Sequence, residues 1–422
     1  MVEKIMLENG VRVLYEHLEQ VRSCALGVWV ENGSCHEPES LSGISHYIEH
    51  MLFKGTKSRT AAQLAAEFDA IGGQVNAFTT REHTCYYART LDTHVQTAAG
   101  LLCDMYLHPA FRPEDVELER GVILEEIGMY EDTPEDLVSE LLSAQVYPGQ
   151  PLGRPILGTE ESLRGMDAQA LRDYHARQYV GKNTIVALSG SFSQEDLDAV
   201  CRAFSVVPAG DPAPMPRAEY HRAAVVKKKE IEQNHLLLVF PGLWSNHPQR
   251  YVLAALNNIL GAGMSSRLFQ RVREQSGLCY TVYSFTSLYE TAGVLGIYTA
   301  LGRETQEAAL RLIREELARF CAEGVTEEEL SRTKEQLKTT LLMSLESTNS
   351  RMSSMARNEM IFGHAQTPEE ACARLDAVTA EEVLLLAREL LDFRRMSFSA
   401  VGNVSPAEDY LRLFREEGLS HD

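Results

Sequence analysis

Apolar and polar positions alternate with a period of two at the start of the chain. Lys4 to Leu7 and Val11 to His17 therefore read as a hairpin turning at Asn9 and Gly10, residues that tolerate the positive φ of a tight turn. An apolar strand is predicted at about residues 24–31, and the period then lengthens to that of a helix over 43–53 and again over 60–71. Strands at 74–79 and 83–90 and helices near 93–107, 113–131 and 134–145 follow. In the second half, strands are predicted at 235–240, 281–288 and 292–300. Helical spacing covers 247–260 and 304–323, and runs without a break over 326–362.

A longer repeat underlies these periods. Residues 166–193 (MDAQALRDYHARQYVGKNTIVALSGSFS) and 378–405 (VTAEEVLLLARELLDFRRMSFSAVGNVS) each read as an amphipathic helix, a turn, an apolar strand, a glycine and a helix N-cap. Gly190 and Gly402 are 212 positions apart in a chain of 422 residues. Between the halves, VVPAGDPAPMPRAE places Pro208, Pro212, Pro214 and Pro216 in a stretch with the extended character of a linker. The pattern predicts an α+β protein of two homologous domains, each a largely antiparallel sheet with helices packed on it. The expected boundaries are residues 1–206 and 222–422, joined by a linker at 207–221.

Composition narrows the class. With 44% hydrophobic and 24% charged residues, the chain has enough apolar mass for real cores, and it contains no run of about 18 apolar residues. Forty basic against sixty acidic residues give a net charge of −20, which opposes binding to nucleic acid or an anionic membrane and favours cationic peptides if it favours any. The eight cysteines are scattered, with no Cys-x-x-Cys, as expected of free thiols in a reducing compartment. Met1, Val2, Glu3 and Lys4 lead directly into strand-like sequence, so no secretory signal is expected and the cytoplasm is the expected location.

The candidate chemistry is concentrated in His46, Tyr47, Ile48, Glu49 and His50, within the helix predicted at 43–53. At about 3.6 residues per turn, positions four apart lie on one helix face, so both imidazoles can reach one tetrahedral metal ion. Glu49 lies beside that face, where a carboxylate can serve as general base without becoming a ligand. This is the inverted His-x-x-Glu-His order of zinc hydrolases. A third ligand must come from elsewhere, and ELERGVILEEIGMY at 117–130 offers Glu119 and Glu126, two turns apart on one helix face. Spacing alone leaves either as the ligand and the other as its support. Shifted by 212, His46, Glu49 and His50 fall on Asn258, Gly261 and Ala262, so the second half has no matching site. His83 and His108 have no partner at ligand spacing.

HYIEHMLFKGT, followed 76 positions after His50 by Glu126 in ERGVILEEI, resembles the pitrilysin and insulinase family of zinc peptidases, in the branch of bacterial processing proteases and the mitochondrial processing peptidase β-subunit. GGQVNAFTTREHTCYYA at 72–88, PLGRPILGTEESL at 151–163 and MSSRLFQRVREQSGLCYTVYS at 264–284 extend the likeness over almost the whole chain. The resemblance implies one Zn2+ per chain held by His46, His50 and Glu126, with Glu119 behind the ligands and Glu49 as base for peptide hydrolysis. It implies that Arg273 and Tyr280 contact substrate and that Asn76, Ala77 and Phe78 form a sheet edge binding extended peptide, with Glu82 close behind. By the same resemblance, the substrate is a peptide or unfolded polypeptide and the assembly a homodimer, or a heterodimer with a related chain. Sedimentation of the protein alone would show a strict monomer if that expectation fails. The alternative is a peptide-binding or scaffolding subunit of a related complex with little turnover.

Overall fold

Two strands buried almost from end to end, β3 (Ser23–Val30) and β8 (Asn234–Pro241), are the centres of two sheets. In the computed structural model, which describes residues 2–212 and 214–415, the first sheet runs β1 (Glu3–Met6), β2 (Arg12–His17), β6 (Thr184–Gly190), β3, β5 (Thr84–Leu91) and β4 (Gln74–Thr79). The second runs β7 (Ala224–Lys228), β11 (Ser397–Gly402), β8, β10 (Gly293–Leu301) and β9 (Thr281–Leu288). All neighbours are antiparallel except β2 with β6 and β7 with β11, so the same plan recurs in both sheets. The hairpin of β1 and β2 and the 212-residue repeat thus correspond to real elements. Gly190 and Gly402 end β6 and β11 at φ +132° and +135°, and a β-carbon there would come within 2.2 Å of Ser23 O and 2.4 Å of Asn234 Oδ1. Only glycine fits at either position.

Helices α1 (Ile44–Leu52), α2 (Ala61–Ala70) and α3 (Val95–Leu107) pack on the first sheet, and α4 (Pro113–Asp132) follows them. The core between helices and sheet collects Val28, Ile44, Tyr47, Ile48, Met51, Tyr86, Leu102 and Tyr106. A second core joins Leu236, Leu238, Leu256, Ile297, Ile313, Leu386 and Phe398 around the other sheet.

The compact units are not the linear halves divided at 207–221. The first takes the chain through Gly128, then Arg154–Pro216 and Leu342–Gln366; the second takes Met129–Gly153, Arg217–Leu341 and the chain from Thr367 on. The reason is local. The helical pattern over 326–362 is two helices, Glu327–Ser344 and Thr348–Phe362, and the Ser347 hydroxyl caps the second by accepting from Ser350 N at 3.4 Å. That second helix places Met352, Met355 and Ala356 against Leu14, Trp29, Cys85 and Ile185 of the first sheet, while its buried Glu359 receives Lys4 at 2.9 Å. Reciprocally, α5 (Pro134–Val146) lies on β11 and β8 of the second sheet. Each unit therefore uses one helix from the opposite half of the chain.

Candidate metal centre

The helix α1 starts where it does because Gly43 sits at φ +95°, and a β-carbon there would meet Leu157 O at 2.6 Å. Its first amides would otherwise lack partners. The buried carboxylate of Glu37 accepts from Gly43 N at 2.7 Å and from Ser45 N at 2.8 Å, capping the helix from outside. Burial pushes the Glu37 carboxyl up to about 7, with the two amides pulling the other way. Ile44, Ile48, Met51 and Leu52 face the core, which leaves His46, Glu49 and His50 on the opposite side. Tyr47 reaches across and donates its hydroxyl to Val116 O, tying α1 to α4.

That tie sets the register between the two helices. His46 Nε2 and His50 Nε2 each lie 3.7 Å from Glu126 Oε2, and donor atoms of the three residues fall within 4.8 Å of one another. A separation of 3.7 Å is too long for a hydrogen bond, and suits donors that share an ion at bond lengths of about 2.0–2.2 Å. Among the described residues this is the one cluster of three or more potential metal ligands. Burial, and secondarily the neighbouring His50, pushes His46 down to about 3, so it presents a neutral imidazole at neutral pH, the form a metal needs. The His46, His50 and Glu126 set thus fits Zn2+.

Glu119 is buried at 3% exposure, and its Oε2 lies 3.0 Å from His50 Nδ1. An ionised carboxylate only accepts, so Nδ1 carries the proton and Nε2 keeps the lone pair that points toward Glu126. The other Glu119 oxygen is in an ion pair with Lys54. Spacing does not distinguish Glu119 from Glu126, but their contacts differ: Glu126 meets both Nε2 atoms, and Glu119 meets His50 Nδ1 and Lys54. Glu119→Gln is expected to weaken zinc affinity about 10- to 100-fold in competition with a chromogenic chelator. An unchanged dissociation constant would deny Glu119 any orienting role.

Glu49 lies on α1 between the two histidines, and Thr79 Oγ1 at the end of β4 donates to its Oε2 at 2.5 Å. Burial raises the Glu49 pKa and the Thr79 hydrogen bond opposes the rise. Asn76, Ala77 and Phe78 lie on the same strand, which pairs with β5 on one side and forms the edge of the sheet on the other. Glu82 is in the turn between these strands, its amide donating to Thr80 Oγ1 at 3.2 Å. Arg273 and Tyr280 belong to the other compact unit. Arg273 stands on a π-helical turn, Phe269–Gln275, with its guanidinium 4.6 Å from the Phe269 ring centroid and 4.8 Å from that of Tyr280, which is 74% exposed.

Sequence reasoning did not single out Glu37, Tyr47, Thr79 or Lys54. Only Thr79 carried a readable signal, because alternation along β4 puts it on the same face as Val75 and Ala77. Glu37 acts through a loop contact that leaves no periodic trace.

The helix Arg250–Gly261 is the counterpart of α1 in the second unit. Gly261, at the position of Glu49, lies so close to β9 that a β-carbon would meet Ser284 N at 2.5 Å. Close packing has replaced chemistry there. No helix among the described residues is long and apolar enough to cross a membrane.

Residues 12–160 match the family described as Insulinase (Peptidase family M16), and residues 165–337 match the peptidase M16 inactive domain. An uncharacterized zinc protease of Bacillus subtilis, YmxG, is 44% identical over 96% of this chain and 100% of its own length. An uncharacterized zinc protease of Streptomyces coelicolor is 37% identical over 95% of this chain and 89% of its own. A crystal structure of a peptidase M16 inactive domain from Pseudomonas fluorescens superposes with a TM-score of 0.89 at 21% identity, covering 96% of this chain and 98% of that one. A protease from Helicobacter pylori gives 0.88 at 20% identity, covering 95% and 99%. These two share the fold of both units. By its match to full-length relatives and to both family descriptions, the chain belongs to peptidase family M16, the insulinase family.

Proposed function

We propose that the protein is a zinc-dependent endopeptidase acting on peptides or unfolded polypeptides. The observation that supports this most is the convergence of His46, His50 and Glu126 to within 4.8 Å, with Glu49 on the same helix and not among the ligands. A structural metal site needs no spare base. Zinc held there supplies Lewis acidity and makes water nucleophilic near neutral pH. Glu49 takes the proton from that water on the carboxylate oxygen that Thr79 leaves free, then returns it to the departing amine nitrogen. Glu119 holds the His50 ring in its tautomer throughout.

Substrate is held by main chain. β4 is the edge of its sheet, where an extended peptide can add as a further strand with little demand on sequence; the Ala77 amide, which donates to Asn76 Oδ1 at 2.8 Å, would exchange that partner for the peptide. Arg273, stacked between two rings, presents a fixed cation for a substrate carbonyl or carboxylate.

The test is cleavage of a mixed pool of unfolded peptides by zinc-loaded protein, read by mass spectrometry. Cleavage is expected to stop on chelation and to return with added zinc. A zinc-loaded, folded protein that leaves the pool intact would remove the proposal and favour a binding or scaffolding role.

A further inference from the structure

We propose that Thr79 is a positioning residue for Glu49: its hydroxyl fixes one carboxylate oxygen and so aims the other at the space between the ligands. This rests on the reading of Glu49 as the base. A hydroxyl has one hydrogen to give and an ionised carboxylate can only accept, so the 2.5 Å contact assigns the Thr79 hydrogen to Glu49 Oε2. A glutamate has three side-chain torsions; this bond removes most of that freedom at the oxygen end.

Thr79 is itself held. Its branched side chain stands on a regular strand, where few rotamers are open to it. Its Oγ1 lies 3.3 Å from Thr84 Oγ1 on the cross-strand partner, but the Thr84 hydroxyl gives its one hydrogen to Asn32 O at 3.0 Å, so the two hydroxyl oxygens are in packing contact only. Asn32 Nδ2 then donates to Ser45 Oγ at 3.1 Å, while Asn32 Oδ1 accepts from Tyr174 at 2.9 Å. Asn32, Ser45, Thr84 and Tyr174 are all buried. Ser45 is on α1, next to His46. Asn32 follows β3 and Thr84 opens β5, so hydrogen bonds join α1 at Ser45 to the residue that faces Thr79 across the β4 and β5 pair. This buried network fixes the strand pair beside Thr79 relative to the helix that carries both histidines, and the Thr79 hydroxyl links that pair to Glu49. Thr79 also stands on the strand proposed to bind the peptide, so one strand carries both that edge and the contact to the base.

The second unit shows what this contact looks like without chemistry. There Gly261 packs directly against Ser284 of the edge strand and leaves no room for an acid. Only the first unit turns the approach into a hydrogen bond to a carboxylate.

The experiment compares Thr79→Val, which keeps the shape and removes the hydroxyl, with Thr79→Ser, which keeps the hydroxyl. Losing a hydrogen bond to a charged group should lower kcat about 10- to 100-fold in Thr79→Val. KM should stay within about twofold, since ground-state binding is untouched. Thr79→Ser should regain most of the rate. Zinc content and peptide affinity of the metal-free protein should be the same in all three. A wild-type kcat in Thr79→Val, or a loss that Thr79→Ser does not restore, overturns the proposal. Crystal structures of the wild type and Thr79→Val decide it without turnover: a carboxylate turned away in the variant supports it, and an unmoved one overturns it. Absence of cleavage by the wild type would count against the peptidase reading alone.

Discussion

Glu49→Gln should bind zinc as tightly as the wild type and hydrolyse peptides about 1,000-fold more slowly, the range expected when a general base is removed. The amide has the shape of the carboxylate, and its oxygen can still accept the Thr79 hydroxyl, so the local structure has no reason to change. What disappears is the capacity to take a proton. Because Glu49 is not among the three residues whose donor atoms converge, the metal content should stay at one ion per chain. KM should change little, because proton transfer occurs only on the way to the transition state. Zinc content by elemental analysis and product formation by mass spectrometry provide the two readings. A variant that keeps its zinc and a tenth or more of its rate would show that the proton goes elsewhere.

How much of this could be read from residues alone depends on how local each contact is. His46, Glu49 and His50 lie within one helical turn, so period and residue type together specify their relation. Glu126 is different. It is two helical turns from Glu119 on the same face, and no rule of spacing says which of the two meets the metal. Which of them converges with the two histidines follows from the axial register of α4 on α1, where Tyr47 reaches Val116 O and Glu119 reaches His50. The resemblance to a known family named Glu126 where physics had left a tie. Glu37 acts through a tertiary contact with α1 of which a single sequence carries no trace, whereas alternation along β4 gives the face of Thr79 but not its partner.

The fold shows the same boundary. Strand and helix periods, the Asn9 and Gly10 turn, and the repeated glycines are local and were legible. The exchange of helices between halves was not. A helical pattern that continues over 326–362 gives no sign that residues 345–347 break it, because the cap is a single serine and the apolar spacing resumes on the other side. Met352, Met355 and Ala356 suit the face of either sheet by hydrophobicity. Only the packing against Trp29 and Cys85, with Lys4 meeting Glu359, selects the first.

Removing a ligand should have the other large effect, and it separates metal binding from folding. His50→Ala takes away one of three donors, which should weaken zinc binding about 1,000-fold and reduce hydrolysis at least as much. The metal-free protein should be nearly as stable as metal-free wild type. The His50 side chain is 22% exposed, and the Glu119 carboxylate it leaves behind keeps its ion pair with Lys54. The ligands are also presented by elements that fold for other reasons: Ile44, Ile48 and Met51 anchor α1, and Glu37 caps it. Adding zinc should therefore raise the melting temperature of the wild type through binding to the native state, and leave that of His50→Ala unchanged. Glu126→Gln supplies a second case, because the Glu126 side chain is 33% exposed on α4 and the substitution leaves its volume in place. If either variant keeps both the zinc-induced rise and its activity, the residue replaced is not a ligand. If metal-free His50→Ala fails to fold, the histidine carries structure as well as metal, and the scaffold is less independent of its ion than the packing of α1 implies.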